Sequence, residues 1–510
     1  MHRSGECPHP GLLCYVFVFA GFSATAHSQS PVLKPNTITI DLNKTIIVSK
    51  STPTLQVVVN PMLAAGSPIH DATFAALKML GADYVRYVPW EPYPKLALAE
   101  LDAPTVEKTS WDFSLIDPYI KDFLSATEGH SIVMNFSTIP AWMFKTDKPV
   151  DYPSDPNRVF WNYTQGVESV DSSERQISEY FARVVGWYTK GGFTDELGKS
   201  HNSGYHFRFP YWEVLNEPDR EHNTTPQTYT KRYDAIVEAI HKVSPDTKFV
   251  GLSLAFTSRN PERYEYFLNH ANHKPGIPLD YISYHFYSVP DPRESIESWQ
   301  YTFFNHANAF LASIRFIETI RKRLSPDTKT ATNEVGVILP SDLDEMRTSK
   351  VLPTNIPQRY WNASGALYAY LFMQEARLGI DVIGESQLVG YPSQFPSVSM
   401  MDWTNGKPNA RFWVLELLKN NFHPGDRLAA TAVSAMSQIE SQLFVTPGGK
   451  KLLVVNRANA PVDVTLPAEV NSGLLATVDE MSGDDKARLS QQSGNTLQLR
   501  AFSVAVLTYR

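Results

Sequence analysis

From about residue 55 to residue 420, short runs rich in β-branched residues alternate with amphipathic helical stretches, and that alternation leaves few folds open. Leu55–Asn60, Tyr84–Val88, Ser131–Ser137, Tyr211–Leu215, Lys248–Ser253, Tyr281–Tyr287, Thr330–Val337 and Asp381–Gln387 read as eight strands. Helical segments lie between them. Ser67-Pro68 opens one with Phe74, Leu77 and Leu80 on one face; Thr225-Pro226 opens a longer one with Tyr229, Tyr233, Ile236, Val237 and Ile240 at helical spacing. The pattern predicts an α/β chain folded as a (β/α)8 TIM barrel. An open doubly wound sheet is the alternative, but the first strand lacks the Gly-rich phosphate loop expected there.

After Pro424-Gly425 the texture changes. Ser441–Val445, Lys451–Asn456, Val462–Leu466, Leu474–Val478 and Leu497–Leu507 are strand-like, with turns such as Pro447-Gly448-Gly449 between them. This predicts an appended C-terminal β-sandwich. Thr37–Ser49 is also strand-like and is expected to add strands to that sandwich. The expected division is therefore 1–28 signal peptide, 29–50 N-terminal strands, 51–424 barrel and 425–510 sandwich.

The amino-terminal expectation rests on Leu12–Phe22, an apolar run preceded by Arg3 and followed by Ala24-Thr25-Ala26. It reads as a secretory signal with a small-residue cleavage site, which places the mature chain in a secreted or periplasmic compartment. The run is too short to span a bilayer, and no later stretch reaches ~20 apolar residues, so no membrane partner is expected of the mature form. Both cysteines, Cys7 and Cys14, fall inside the presumed signal. The remaining chain then has no disulfide, no thiolate metal site and no thiol nucleophile. Forty-six basic against 53 acidic residues, without a long run of either sign, argue against a nucleic-acid footprint. No His-Glu-x-x-His or Gly-x-Ser-x-Gly motif occurs. No cofactor and no metal are expected.

In such a barrel the chemistry sits at the carboxyl ends of the strands. Read in order, those ends give Arg86 on strand two, Asn135 on strand three, Asn216-Glu217-Pro218 on strand four, His285 and Tyr287 on strand six, Asn333-Glu334 on strand seven and Glu385 on strand eight. Two carboxylates, each preceded by Asn, thus stand on strands four and seven, across the barrel mouth from one another. A facing carboxyl pair is what cleavage of a glycosidic bond requires. Trp90, Trp142 and Trp403 are candidate platforms for stacking a sugar ring, with plain loop packing the competing reading for each.

Residues 211–219, YWEVLNEPD, resemble the strand-four signature of clan A glycoside hydrolases, whose Asn-Glu-Pro carries the acid/base. Thr332–Gly336 (TNEVG) resembles their nucleophile segment, Ser283–Tyr287 (SYHFY) their strand-six His-x-Tyr element, and Arg86 their strand-two arginine. With the barrel-plus-sandwich layout, the family most resembled is glycoside hydrolase family 39, the β-xylosidase and α-iduronidase family. Ile139–Met143 (IPAWM) is more similar to family 30, and strand eight carries Glu385 where many clan members place a Trp.

The resemblance implies a retaining hydrolase acting on plant or microbial poly- or oligosaccharides, with Glu334 as nucleophile and Glu217 as acid/base. Arg86, Asn135, Trp142, Asn216, His285, Tyr287, Glu385 and Trp403 are expected to bind substrate. Glu334 must be ionised, which Arg86 favours; Glu217 must begin protonated, which a carboxylate ~5–5.5 Å away favours. Asn216 is placed to hold the sugar 2-hydroxyl. Glu385 either binds sugar hydroxyls, and would then repel a uronic acid, or pairs with a nearby Arg or Lys. The rival to the enzyme reading is a catalytically inactive carbohydrate-binding protein on the same fold.

Overall fold

The computed structural model describes residues 36–509 except 162, 164, 343–355, 391–394, 435–436 and 471. The expected signal segment and Cys7 and Cys14 lie outside the described residues. No helix among them is long and apolar enough to cross a membrane.

Strand β1 (Ile38–Val48) is followed by β2 (Thr52–Val58), β3 (Val85–Val88) and β4 (Ile132–Met134); a short hairpin, β5 (Gly192–Thr194) and β6 (Ser200–Asn202), precedes β7 (Tyr211–Glu213). Then come β8 (Lys248–Leu254), β9 (Tyr281–Ser288), β10 (Lys329–Val337) and β11 (Val382–Glu385). Strands β2, β3, β4, β7, β8, β9, β10 and β11 close a parallel barrel in that order, as the alternation predicts. The surrounding helices are α1 (His70–Leu80), α2 (Asp117–Ala126), α3 (Arg175–Thr189), α4 (Pro226–Val243), α5 (Glu262–Phe267), α6 (Ile296–Leu324), α7 (Gln358–Leu378) and α8 (Ala410–Asn421).

Local chemistry sets several of these boundaries. Helix α4 starts where the sequence places it: the Thr225 side chain accepts from the Thr228 N–H, and Pro226 occupies the first turn. Helix α1 starts later than Ser67-Pro68 suggests, at His70. It ends on Gly81 at φ 55, a left-handed position where a side chain would be strained.

The barrel interior is layered. Near the strand starts, Val133, Val250, Tyr281, Ala331 and Val382 form an apolar plug, with Tyr84 and Tyr211 packed against it. Above it lies a polar layer built on Arg86 and Glu213, both essentially inaccessible to solvent. The cavity opens above that layer.

Beyond the barrel, β12 (Arg427–Val433), β13 (Ile439–Thr446), β14 (Gly449–Asn456), β15 (Val462–Thr465), β16 (Ser472–Val478), β17 (Arg488–Ser493), β18 (Thr496–Leu499) and β19 (Val504–Tyr509) are antiparallel. A seven-stranded sheet runs β1-β12-β13-β14-β19-β16-β17, and β15 with β18 forms a second, two-stranded sheet. Ile38, Leu443, Leu452 and Leu507 of the large sheet pack with Val464, Leu497 and Leu499 of the small one. The fold is thus a TIM barrel with a C-terminal β-sandwich. Leu497–Leu507, which reads as one strand in sequence, is two, because the chain turns at Phe502 (φ 52) and moves from one sheet to the other.

Candidate active site

Arg86 organises the floor. Its Nε donates to Glu213 Oε2 at 2.5 Å, Nη1 to Gln56 Oε1 and to Glu334 Oε1 at 2.6 Å each, and Nη2 to Asn216 Oδ1 at 2.7 Å and Ser253 Oγ at 3.2 Å. A guanidinium so deeply buried is tolerable only because its donors are satisfied and two carboxylates face it. Burial opposes its charge, but Glu213 and Glu334 outweigh burial and raise its pKa. Glu213 is anchored in turn by Asn135 Nδ2 at 2.5 Å, Ser283 Oγ at 2.5 Å and Asn333 Nδ2 at 2.6 Å. Arg86 and these donors hold Glu213 below the ordinary carboxylate range in spite of its burial.

Strand irregularities bring the two glutamates of the Asn-Glu motifs inward. On β10, Thr332 faces outward, donating to Glu375 of α7 at 2.7 Å, while Asn333 reaches Glu213 in the barrel interior. Regular alternation would then send Glu334 outward. Instead the β9–β10 register slips between Thr332 and Glu334, and Glu334 reaches Arg86 and lines the cavity. On the β7 loop, Leu215 at φ 67 and Glu217 at φ 40 are both left-handed, a conformation that costs roughly 1–2 kcal/mol per residue without a glycine.

Glu217 and Glu334 both line a cavity of about 440 Å³, with Gln56, Trp90, Asn216, Arg220, Phe256, Arg259, Tyr287, Gln387 and Phe395 among its walls. His285 lies between the carboxyls: Nδ1 is 3.0 Å from Glu217 Oε1 and 3.4 Å from Glu334 Oε2, and Nε2 is 3.1 Å from Ser253 Oγ. One oxygen of each glutamate and a ring nitrogen of His285 lie within 4.8 Å of one another. Tyr287 donates its hydroxyl proton to Glu334 Oε2 at 2.7 Å, and Ser386 Oγ lies 2.6 Å from the same hydroxyl. Glu217 Oε2 accepts from Arg220 Nη1 at 2.9 Å.

The electrostatics of Glu217 differ from the sequence expectation. Burial pushes its carboxyl up, but the His285 hydrogen bond and the Arg220 charge hold it down at about 2. The His285 ring moves the other way. Burial lowers it, yet the charges of Glu334 and Glu217 raise it above its ordinary value. Both shifts favour an ionised Glu217 beside a protonated His285.

Of the residues singled out in sequence, Glu217, Glu334, Asn216 and Tyr287 line the cavity, and Arg86 and His285 touch them directly. Asn135 lies beneath the cavity, where it donates to Glu213 and to the Leu215 carbonyl at 3.0 Å. Three placements need correction. Glu385 is fully buried on the outer side of β11, paired with Arg411 Nε of α8 at 2.8 Å, and does not reach the cavity. Trp142 donates to the Glu100 carbonyl at 3.2 Å and packs on the barrel core, and Trp403 packs on that core as well. Neither reaches the cavity. Of the three candidate tryptophans, Trp90 lines it and lies against Phe395 with centroids 6.0 Å apart.

Sequence reasoning did not single out Gln56, Glu213, Arg220, Glu221 or Arg259. Gln56 carried a signal, as the one polar residue in the apolar run LQVVV. Glu213 did too, since it shares strand parity with Glu217.

Residues 193–330 match the model for glycosyl hydrolases family 39, and residues 437–507 match the C-terminal immunoglobulin-like domain of D-apionate lactonase. No curated protein matches the sequence. Among solved structures, a family 51 α-L-arabinofuranosidase from Bifidobacterium longum is similar over 94% of this chain and 100% of its own, at 13% identity and a TM-score of 0.63. A glucosidase from Croceicoccus marinus is similar over 94% and 100%, at 14% identity and a TM-score of 0.58. A family 30 endoxylanase from Clostridium papyrosolvens C71 is similar over 93% and 100%, at 13% identity and a TM-score of 0.55. The resemblance carried by the strand-end motifs thus holds: residues 193–330 are similar to the glycosyl hydrolases of family 39, within a barrel-and-sandwich fold shared with enzymes of families 30 and 51.

Proposed function

We propose that the protein is an exported, retaining glycosidase that works by double displacement. The observation that carries this reading is the Glu217–His285–Glu334 cluster, whose members approach one another within 4.8 Å. That approach is shorter than the ~6.5–9.5 Å separation of carboxyl groups that inversion uses, and it suits direct attack by one carboxylate.

In this reading Glu334 attacks the anomeric carbon. Arg86 and Tyr287 hold and aim it, one hydrogen bond on each oxygen. The leaving oxygen needs a proton, and the Glu217–His285 pair holds one. As the glycosidic oxygen settles on Glu217, the proton passes from His285 Nδ1 to the carboxyl and on to the departing alcohol. Glu334 then carries the glycosyl group and has lost its charge. Glu217, now ionised, accepts a proton from water, which attacks the anomeric carbon and releases Glu334. The proton returns to the pair, and the cycle balances. Asn216 holds the sugar 2-hydroxyl in this scheme. Residues 12–22 support export.

The size of the cavity suits one or two sugar rings. A neutral pentose or hexose fits it, and a β-xyloside is the first candidate from the family resemblance. A panel of 4-nitrophenyl β-D-xylopyranoside, β-D-glucopyranoside and α-L-arabinofuranoside tests the reading. Proton NMR of the cleaved glycoside should show first-formed sugar of the same anomeric configuration. Glu334→Gly should be inactive and recover with azide, giving the glycosyl azide of inverted configuration. Glu217→Ala should keep activity only on good leaving groups. First-formed product of inverted configuration from the native enzyme would defeat the retaining mechanism. No hydrolysis of any glycoside would favour the carbohydrate-binding alternative.

A further inference from the structure

We infer that Glu221 is a positioning residue of the sugar subsite, tying the Asn216 amide on the floor to the Trp90 ring on the wall. The inference rests on the glycosidase reading above.

One oxygen makes both ties. Glu221 Oε1 accepts from Asn216 Nδ2 and from Trp90 Nε1, each at 2.8 Å. The Asn216 amide is fixed at its other end by Arg86 Nη2, 2.7 Å from Oδ1. Its orientation is thereby set, oxygen toward Arg86 and nitrogen toward Glu221. That leaves one N–H and one lone pair to face a hydroxyl beside the anomeric carbon. Among the described residues, Glu221 is what the amide nitrogen donates to, so its loss frees that end of the amide plane to rotate. Trp90 loses its polar anchor in the same change and is left with ring contacts to Phe395 and Trp161.

Glu221 is itself held from behind. Gln165 Oε1 accepts from the Ile139 N–H at 2.7 Å, so its amide nitrogen must face the carboxyls, with Nε2 2.9 Å from Glu91 Oε2 and 3.4 Å from Glu221 Oε2. Burial, with Glu91 and Glu217 nearby, pushes Glu221 up, and burial pushes Glu91 up to about 7. Protonation of Glu221 on Oε2 leaves Oε1 an acceptor, so the ties survive in either state. Three residues separate Glu221 from Glu217, yet the two side chains do different work: Glu217 faces the leaving oxygen, and Glu221 acts only through Asn216 and Trp90.

The test compares the 4-nitrophenyl glycoside of the panel that the native enzyme cleaves fastest with its 2-deoxy counterpart. For Glu221→Ala, kcat/KM on the 2-hydroxy glycoside should fall by about 100-fold, mostly in kcat, because the 2-hydroxyl contact strengthens in the transition state. On the 2-deoxy glycoside the loss should stay within about fivefold, since the group that Asn216 would hold is gone. Glu221→Gln, which keeps the acceptor oxygen, should remain within about threefold of native on both. Glu221→Asp keeps the charge but withdraws the acceptor, and should show the same selective loss if Glu221→Ala does not fold. Equal losses on the two substrates, or no loss in Glu221→Ala, would overturn the positioning role and leave the glycosidase reading standing. A native protein that cleaves neither glycoside would remove both.

Discussion

Arg220 Nη1 donates to Glu217 Oε2 at 2.9 Å, while His285 Nδ1 holds the other oxygen of the same carboxyl at 3.0 Å. The carboxyl cast as the general acid is thus flanked by two groups that favour its ionised form. Arg220 is about a third exposed, 37%, and lines the cavity. Removing this cation makes ionisation of Glu217 harder, so its pKa rises. In Arg220→Gln the alkaline limb of kcat/KM, set by loss of the acid's proton, should move upward by about one unit on a substrate with a poor leaving group. A limb that stays in place would mean that Arg220 does not tune the acid.

The Glu385–Arg411 pair separates structure from chemistry on the eighth strand. Glu385 points away from the cavity, and burial pushes it up to about 7 against the Arg411 charge. Glu385→Gln should therefore leave kcat and KM within about twofold of native across the glycoside panel, because nothing it touches is substrate. Arg411→Met should instead cost about 3–5 kcal/mol of stability, since it strands a carboxyl in the core. Denaturant midpoints check the second outcome. A Glu385→Gln variant with a raised KM on one sugar only would return the residue to the site.

The barrel and its two central carboxyls were legible because they rest on periodicity and on a short motif. Glu385 was misplaced for a reason the sequence contains. Val382 lies in the interior plug, so alternation along β11 sends Ile383 and Glu385 outward. Glu334 is the opposite case. Alternation alone would turn it outward, and only the register slip on β10 brings it in. Arg220 and Glu221 follow a strand end where no period applies, so nothing in the sequence distinguished them from surface charges. Trp142 and Trp403 were proposed on residue type alone, which carries no information about direction.

Glu375, which does not line the cavity, supplies a pH test of stability. It sits on α7, fully buried; one oxygen accepts from Thr332 Oγ1 at 2.7 Å and the other has no partner among the described residues. Burial pushes its pKa up to about 8. The folded state thus binds this proton more tightly than the unfolded chain, where the value is near 4.3. Stability should be unaffected below that unfolded value and fall as the pH rises from there to about 8, where the loss is complete. Glu375→Gln removes the titration. The variant should melt at about the native temperature near pH 4, and above it by a margin that grows toward pH 8. A margin independent of pH would show that Glu375 is not protonated in the folded state.

The sandwich should not be separable from the barrel. Strand β1 pairs with β12 from Ile38↔Val433 to Val48↔Arg427, so the large sheet takes an edge strand from before the barrel and the rest from after it. The domain contact is also continuous. Phe422 at the end of α8 and Phe444 of β13 have ring centroids 4.2 Å apart, and Arg377 of α7 donates to Glu440, to the Ser441 carbonyl and to Gln442 at 2.6–2.8 Å. Truncation after Pro424 would strip β1 of its partner and open the apolar surface around Phe372 and Phe422 to water. Such a protein should be recovered in the insoluble fraction, whereas the chain lacking only residues 1–28 should be soluble. Soluble, fully active protein ending at residue 424 would establish instead that the barrel is self-sufficient and that β1 and the sandwich are accessory to it.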